Sequence, residues 1–333
     1  MDHKINLSQI KVQILIVFFN GSIFIKEQLD SLVKQSHKNL EFLLLDNGSC
    51  VEESKKLQTI IADYKNIKFF ESSENLGPFK GFEFLMKQVD ADFFCFCDQD
   101  DIWQESKVEE MLEMCVRKDL LLCYSDLFVC NKDCKIIKES MFKDMNTPAL
   151  NGFCSIPLTI KNPVTGCATL CSKKLIKKAI PFDHGVPHDW ASGVIAASYG
   201  KIDVLKKATV RYRHHGSNHA GGINFSFKGL LTNIKRRGSL DKYLNIRIAR
   251  RIALLRLALK NVQSSYLQKI CLNFLIFYTE RGIFFRLILC PLYFLMHLKC
   301  SSSIGIKNII IDTILNLIPR SHRGYIKEDL QWK

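Results

Sequence analysis

The amino-acid sequence predicts an α/β protein with a mainly parallel central sheet and flanking helices, followed by a helical, basic C-terminal region. Three observations carry that prediction. From residue 12 to 100, short apolar runs alternate with segments of helical periodicity. The runs lack the polar alternation of a one-sided sheet, so both faces of the strands must be covered. The charge then changes abruptly in the last third: residues 1–224 hold 28 Lys/Arg and 28 Asp/Glu, whereas residues 225–333 hold 19 against 5.

Residues 12–19 (VQILIVFF) read as a buried strand, and Asn-Gly-Ser after them as a turn. A helix fits residues 23–35, because Ile25, Leu29, Leu32 and Val33 fall on one face at spacings of three and four. Residues 40–46 (LEFLLLD) are a second strand, followed by a helix near 52–63. A strand at 67–71 (IKFFE), a helix near 79–89 and a strand at 92–98 (DFFCFCD) continue the series. Strand, helix, strand repeated in this way argues for parallel pairing, and such sheets bind ligands at the carboxyl ends of their strands. Beyond residue 104 the order changes. A helix is expected near 105–117, a strand near 120–129, a turn at 131–133 and a less regular stretch to 165. A strand at 166–172, a helix over 186–200 and two short strands within 201–213 complete this part. There is no internal repeat.

At 333 residues the chain holds about two domains' worth of sequence, expected here as 1–224 and 225–333. Its 47% hydrophobic and 24% charged content excludes a collagen-like or broadly disordered chain. Thirteen cysteines, an odd number scattered through apolar runs, read as reduced core thiols. Cys130/Cys134 and Cys167/Cys171 lack the paired spacing or nearby His of a zinc site. No charged-then-apolar leader opens the sequence, so cytosolic residence is expected.

Three clusters fall at the ends of predicted strands or the start of a helix. Asp46 lies in Asp-Asn-Gly-Ser, where ordinary turn chemistry competes with a binding role. Asp98, Asp100 and Asp101 crowd into CDQDDIW. A helix cap uses one carboxylate, not three, and like charges at that density call for a cation; Mg²⁺ or Mn²⁺ suits carboxylate oxygens. The third cluster is His188-Asp189-Trp190, where Asp189 serves equally as a helix cap or as a base.

Six motifs taken in order resemble the family 2 glycosyltransferases of GT-A fold, and in detail their bacterial rhamnosyltransferase-like branch. They are the segment from VFFNGS to LLLDNGS, then ENLGPFKGFEF (74–84), CDQDDIW, NPVTGCATL (162–170), HDW and YRHHGSN (212–218). The resemblance spans roughly residues 10 to 220. It implies an inverting, metal-dependent transfer of a sugar from a nucleoside-diphosphate donor to a saccharide acceptor, carried on a polyprenyl lipid, in surface polysaccharide synthesis. It further implies that Phe19, Asn20, Gly21, Asp46, Asn75, Gly77, Asp98 and Gln99 bind the donor nucleotide. Asp100 and His215 would hold Mg²⁺ or Mn²⁺, Asp189 would be the catalytic base, and Asp101 and His188 would support them. Two positions depart from the family pattern: Phe19 stands where Tyr is usual and Ser217 where Asn is common.

The tail reads independently of that resemblance. Leu244, Ile248, Ile252, Leu255 and Leu259 form one helical stripe over 241–261, with Arg247, Arg250 and Arg251 outside it. Residues 283–298 are strongly apolar but interrupted by Arg286 and Pro291, and fall short of the roughly 20 residues needed to span a bilayer. Peripheral association with the inner face of the cell membrane is the expectation, with packing on the catalytic body as the alternative. Nucleic acid is not an expected partner, since no basic and aromatic recognition module is visible. Two other functional classes remain. A sugar nucleotidyltransferase would carry a Gly-rich basic phosphate loop where this chain has FFNGSIF, and a non-catalytic scaffold would have no need of Asp46, Asp98, Asp100 and Asp189 together.

Overall fold

The computed structural model describes residues 6–145, 147–182, 186–215, 240–262, 266–280, 283–301, 309–310 and 312–313. Its first part alternates as the periodicity requires: β1 (Val12–Phe18), α1 (Ser22–Val33), β2 (Leu40–Asn47), α2 (Val51–Ile61), β3 (Ile67–Ser72), α3 (Gly77–Lys87) and β4 (Phe93–Cys97). β1 lies between β2 and β4 and pairs with both in parallel, and β3 extends the sheet beyond β2. Every residue of β1 except Val17 is buried, which is why its sequence shows no polar alternation. The register sets Phe18 opposite Asp46 and Ile16 opposite Cys97. The chain therefore leaves β1, β2 and β4 along one edge.

The second part contributes β5 (Ile102–Trp103), α4 (Lys107–Lys118), β6 (Leu122–Cys130), β7 (Ile136–Lys138), α5 (Met141–Asp144), α6 (Ser155–Ile160), β8 (Thr169–Ser172), α7 (Ile176–Ala179), α8 (His188–Ser198) and β9 (Ile202–Arg213). The strand order is β3-β2-β1-β4-β8-β6-β9-β5, with β7 paired to β6. β8 runs antiparallel to both β4 and β6, while β6 and β9 are parallel. The sheet is thus parallel around β1 and mixed beyond β4. Helices α1, α2 and α4 cover one face through Leu29, Leu57 and Met111. Helices α3, α6 and α8 cover the other through Phe82, Leu158 and Val194.

Three local differences from the sequence expectation have physical causes. Residues 201–213 form one strand rather than two, because Lys206 and Lys207 sit in a register shift between Leu205 and Ala208 opposite Ser125 and Asp126. The stretch from 131 to 165 holds β7, α5 and α6, the last wholly buried, all too short to develop a periodicity. Ile102 and Trp103 form β5 through pairing with Arg211 and Val210, a contact that local sequence does not encode.

The tail forms α9 (Leu240–Asn261), α10 (Tyr266–Glu280) and α11 (Ile283–Ser301), the last continuing through Pro291 where an interruption was expected. Leu254, Leu255 and Ala258 of α9, Leu272 and Leu275 of α10 and Tyr293 of α11 share one hydrophobic core with Trp190, Val194 and Ile195 of α8. Arg251, expected on the polar face, is buried and paired with Asp312. Asp312 also takes Arg247 at 2.9 Å and the Tyr293 hydroxyl at 2.7 Å. A buried carboxylate sixty residues away in sequence is what reverses the polarity of that position. Among the described residues, no helix is long and apolar enough to cross a membrane. The expected boundary at 224/225 and the departure at Ser217 lie outside the described residues. The described cysteines are free and mostly buried.

Arg251→Met should destabilise the chain by about 3 kcal/mol, since it removes one partner from a buried ion pair and leaves Asp312 partly uncompensated. The midpoint of urea unfolding measures this, and a shift no larger than that of an exposed Lys260→Met control would contradict it.

Candidate active site

The site is built where β1, β2 and β4 end together. After β1 the chain turns through Phe19, Asn20 and Gly21, with Asn20 in the left-handed region at φ 47°. Gln99 clasps this turn with both ends of its amide: the Phe19 N–H donates to Oε1 at 2.8 Å and Nε2 donates to the Phe19 carbonyl at 3.1 Å. A Cβ at Gly21 would lie 2.3 Å from Gln99 Nε2, so the residue must be glycine for the clasp to close. Gln99, expected at the nucleotide, thus has its amide engaged by the backbone and shapes the turn instead. The turn is also tied to β2, because the Asn20 N–H donates to Ser49 Oγ at 3.1 Å and the Cys50 N–H to Asn20 Oδ1 at 3.0 Å.

Asp46, the last-but-one residue of β2, is buried. Its Oδ1 accepts the Ser49 N–H at 3.1 Å, while Oδ2 has no partner among the described residues. A buried acceptor left open is costly unless a donor arrives. The neighbouring Asn47 organises the facing loop: its amide donates to Asn75 Oδ1 at 3.2 Å, its Oδ1 accepts the Leu76 N–H at 3.1 Å, and Asn75 Oδ1 accepts the Gly77 N–H at 2.8 Å. Gly77 takes φ 75° there. Asn75 and Gly77 therefore border the same cleft as Asp46. Asn47 was not singled out from sequence, since it reads there as ordinary turn chemistry.

Beyond β4 the three carboxyls separate in environment. Asp101 is fully buried; its Oδ1 accepts the Arg213 N–H at 3.0 Å, and burial with the Asp100 and Asp98 charges pushes its carboxyl well above the usual range. Asp98 rises to about 7, first by burial and then by the charges of Asp100 and Asp189. Asp100 is held by His215, whose Nε2 lies 2.7 Å from Oδ2, and the imidazole stacks on Phe24 at 4.8 Å. Arg213, absent from the sequence expectation, organises the group. Its Nε donates to the Asp100 carbonyl at 2.8 Å, its guanidinium pairs with Glu27, and it lies over Phe24 at 4.9 Å. His214 is exposed and stands apart.

Asp189 arrives from the opposite side, at the first turn of α8. Burial raises its carboxyl to about 6, against the lowering effect of the Trp190 and Gly166 N–H groups and of Arg250. The Trp190 N–H bond is 2.6 Å. His188 is packed among Phe82 and Phe96, with ring centroids at 4.3 and 4.5 Å, and burial alone depresses it to about 3. It is an uncharged wedge behind Asp189. Gly166 accommodates it, since a Cβ there would meet His188 Nε2 at 2.8 Å. Cys167, also unforeseen, brings its sulfur within 4.8 Å of carboxylate oxygens of Asp98 and Asp101.

The donor set suits a hard divalent cation at Asp100. Carboxylates crowded enough to raise one another's proton affinity are what a bound cation relieves, and His215 offers an adjoining imidazole nitrogen. Cys167 is a protonated thiol and adds a soft atom that such a cation does not seek.

A fold of GT-A type is what this sheet order and register define, and the comparisons agree. Residues 13–177 match the family described as Glycosyl transferase family 2, and this chain carries a domain of that family over those residues. An uncharacterized glycosyltransferase of Haemophilus influenzae is 24% identical over 38% of this chain and 51% of its own length. The chain thus spans about half of that relative. The dTDP-rhamnosyl transferase RfbG of Shigella flexneri is 27% identical over 68% of this chain and 82% of its own. Among solved structures, S. aureus TarS 1-349 in complex with UDP superposes with a TM-score of 0.55 at 15% identity, covering 92% of this chain and 89% of that one. The fold is shared at that level.

Gly21→Ala should destabilise the chain by about 1–3 kcal/mol by forcing the Gln99 amide off the turn. In the double variant with Gln99→Ala the added cost of Gly21→Ala should fall below about 0.5 kcal/mol, because the clash is gone. Additive losses in denaturant unfolding would refute the clasp.

Proposed function

We propose that the chain is an inverting, metal-dependent glycosyltransferase that moves a sugar from a nucleoside diphosphate to a saccharide acceptor. One observation carries the proposal: the open acceptor of Asp46, the Asp98–Asp101 cluster and Asp189, from three separate elements, lie together along the edge where β1, β2 and β4 end. In this reading the Asp46 carboxylate accepts the ring N–H of a pyrimidine base, for which an acceptor-only side chain is suited. The loops of Phe19–Gly21 and Asn75–Gly77 wall the nucleotide. Asp98 holds the ribose or the sugar, and Asp101 with Arg213 keeps the Asp98–Asp100 segment in place.

Asp100 and His215 would hold Mg²⁺ or Mn²⁺, which supplies charge to offset the departing diphosphate. Asp189 accepts the proton of the acceptor hydroxyl as that oxygen displaces the diphosphate from the opposite face. Its raised proton affinity fits the task, since a base acts best with a pKa near the working pH. The RfbG name supports a rhamnosyl donor, and a TarS complex with UDP-GlcNAc and a Pyrobaculum calidifontis mannosyltransferase complex with GDP-Man and Mn²⁺ support nucleotide-sugar and metal use in this fold. A role in surface polysaccharide synthesis follows from that donor class.

The tail supports placement on the inner face of a membrane, beside a polyprenyl-linked acceptor. On α11 the exposed residues Leu287, Ile288, Leu292 and Leu295 form an outward apolar stripe, opposite the buried Tyr293. Exposed Tyr266, Leu267 and Ile270 on α10 add to the apolar surface. No acidic residue occurs from 281 to 311, while Arg281, Arg286, Lys299 and Lys307 do. That is the composition of a helix pair lying in an anionic interface. The tail so read is a region of the catalytic body, since α9–α11 share its core.

Asp189→Asn should keep donor affinity and slow transfer by roughly 10²–10⁴-fold, the usual share of a general base. In the parent chain the rate should fall as pH drops through about 6, because Asp189 must be deprotonated to accept a proton; the variant should lose that dependence. A fall in donor affinity at unchanged rate would make Asp189 a binding residue. In a separate test, Ile288→Glu with Leu292→Glu should abolish flotation with anionic liposomes while donor hydrolysis continues. Flotation equal to that of the parent chain would rule out α11 as the membrane face.

A further inference from the structure

The tail does more than cover α8, because it delivers a cation beside the base. Trp190 directly follows Asp189, and its indole is fixed by an Nε1–H bond to the Leu158 carbonyl at 2.6 Å. The guanidinium carbon of Arg250, on α9, lies 5.9 Å from the centroid of that indole. Helix α9 is itself held on two sides, by the Arg247 and Arg251 pairs with Asp312 and by Leu254 and Leu255 in the common core. Arg250 is therefore placed by a packed helix rather than by a loose side chain on the surface. Its charge is felt at Asp189.

We infer that Arg250 belongs to the acceptor side of the site and takes the phosphate of a phosphate-bearing saccharide acceptor. The inference rests on the proposed transferase reading. A catalytic base faces the attacking hydroxyl, so a cation held over the residue that follows Asp189 stands on the acceptor side of the site. Four carboxyls crowd this end of the cleft, and together they repel an approaching anion. A neutral saccharide needs no cation to enter. A phosphorylated one does, and a planar guanidinium stacked near an indole meets phosphate oxygens in bidentate fashion better than an ammonium would. The phosphate has two chemical sources, a free sugar phosphate and a saccharide on a lipid diphosphate.

The test uses the full chain with its active nucleotide-sugar donor and three acceptors bearing the same saccharide: a neutral alkyl glycoside, a soluble sugar phosphate and a polyprenyl-diphosphate saccharide in vesicles. In Arg250→Gln, KM for phosphate-bearing acceptors should rise about 10–100-fold, what losing a charge-assisted hydrogen bond costs. KM for the neutral glycoside should stay within about twofold, and Arg250→Lys should recover part of the loss through its retained charge. A loss confined to the vesicle-borne acceptor assigns the phosphate to lipid, and one confined to the soluble acceptor assigns it to free sugar phosphate. Equal loss on neutral and phosphorylated acceptors, or none on any, overturns the role of Arg250 while donor hydrolysis leaves the transferase reading standing. A parent chain that neither hydrolyses nor transfers from any nucleotide sugar overturns both.

Discussion

Crowding of negative charge at the end of β4 is the constraint on which the rest of the structure depends. Asp98, Asp100 and Asp101 follow one another on a strand end and Asp189 is brought against them from α8, so that burial and mutual repulsion raise Asp98 to about 7 and Asp101 well above its ordinary range. A folded chain tolerates this only if protons or cations compensate. The protein supplies some compensation itself: Arg213 binds the backbone of the cluster and the Asp101 carboxylate through its N–H, and His215 meets Asp100. The negative charge left uncompensated is what the proposed divalent cation would offset.

The parallel pairing of β1 with β2 and β4 makes that crowding useful. Because the register brings the three strand ends level, the pocket around Asp46 and the acidic cluster share one edge with no insertion between them. Gln99 links the two halves directly, since a residue from within the acidic motif closes the turn that follows β1. Loss of order at one would be transmitted to the other through two hydrogen bonds and a glycine.

The tail extends the same logic to α8. Its helices bury Leu254, Leu255, Leu272 and Tyr293 against α8, which carries Asp189, the proposed base, at its first turn. Packing and chemistry are thereby coupled: the face of α9 that stabilises α8 also orients Arg250 over Trp190. The outer face of α11 keeps its apolar residues exposed, so one helix layer is buried on the inside and free for an interface on the outside.

Much of this was legible in the order of residues. Continuous apolar runs between helical periodicities encode the β1–β4 half, because a strand buried on both faces can carry no polar alternation, and the six motifs located Asp46 and the Asp98–Asp101 cluster at the ends of those strands and Asp189 at the start of α8. The roles of Gln99, Arg213, Cys167 and Arg251 were not legible. Each depends on a partner about sixty or more positions away, and local sequence holds no record of such pairs. Periodicity reports which face of an element is apolar. Only tertiary packing decides what stands against that face, and hence whether an arginine ends in solvent, in a buried ion pair or beside a buried carboxyl.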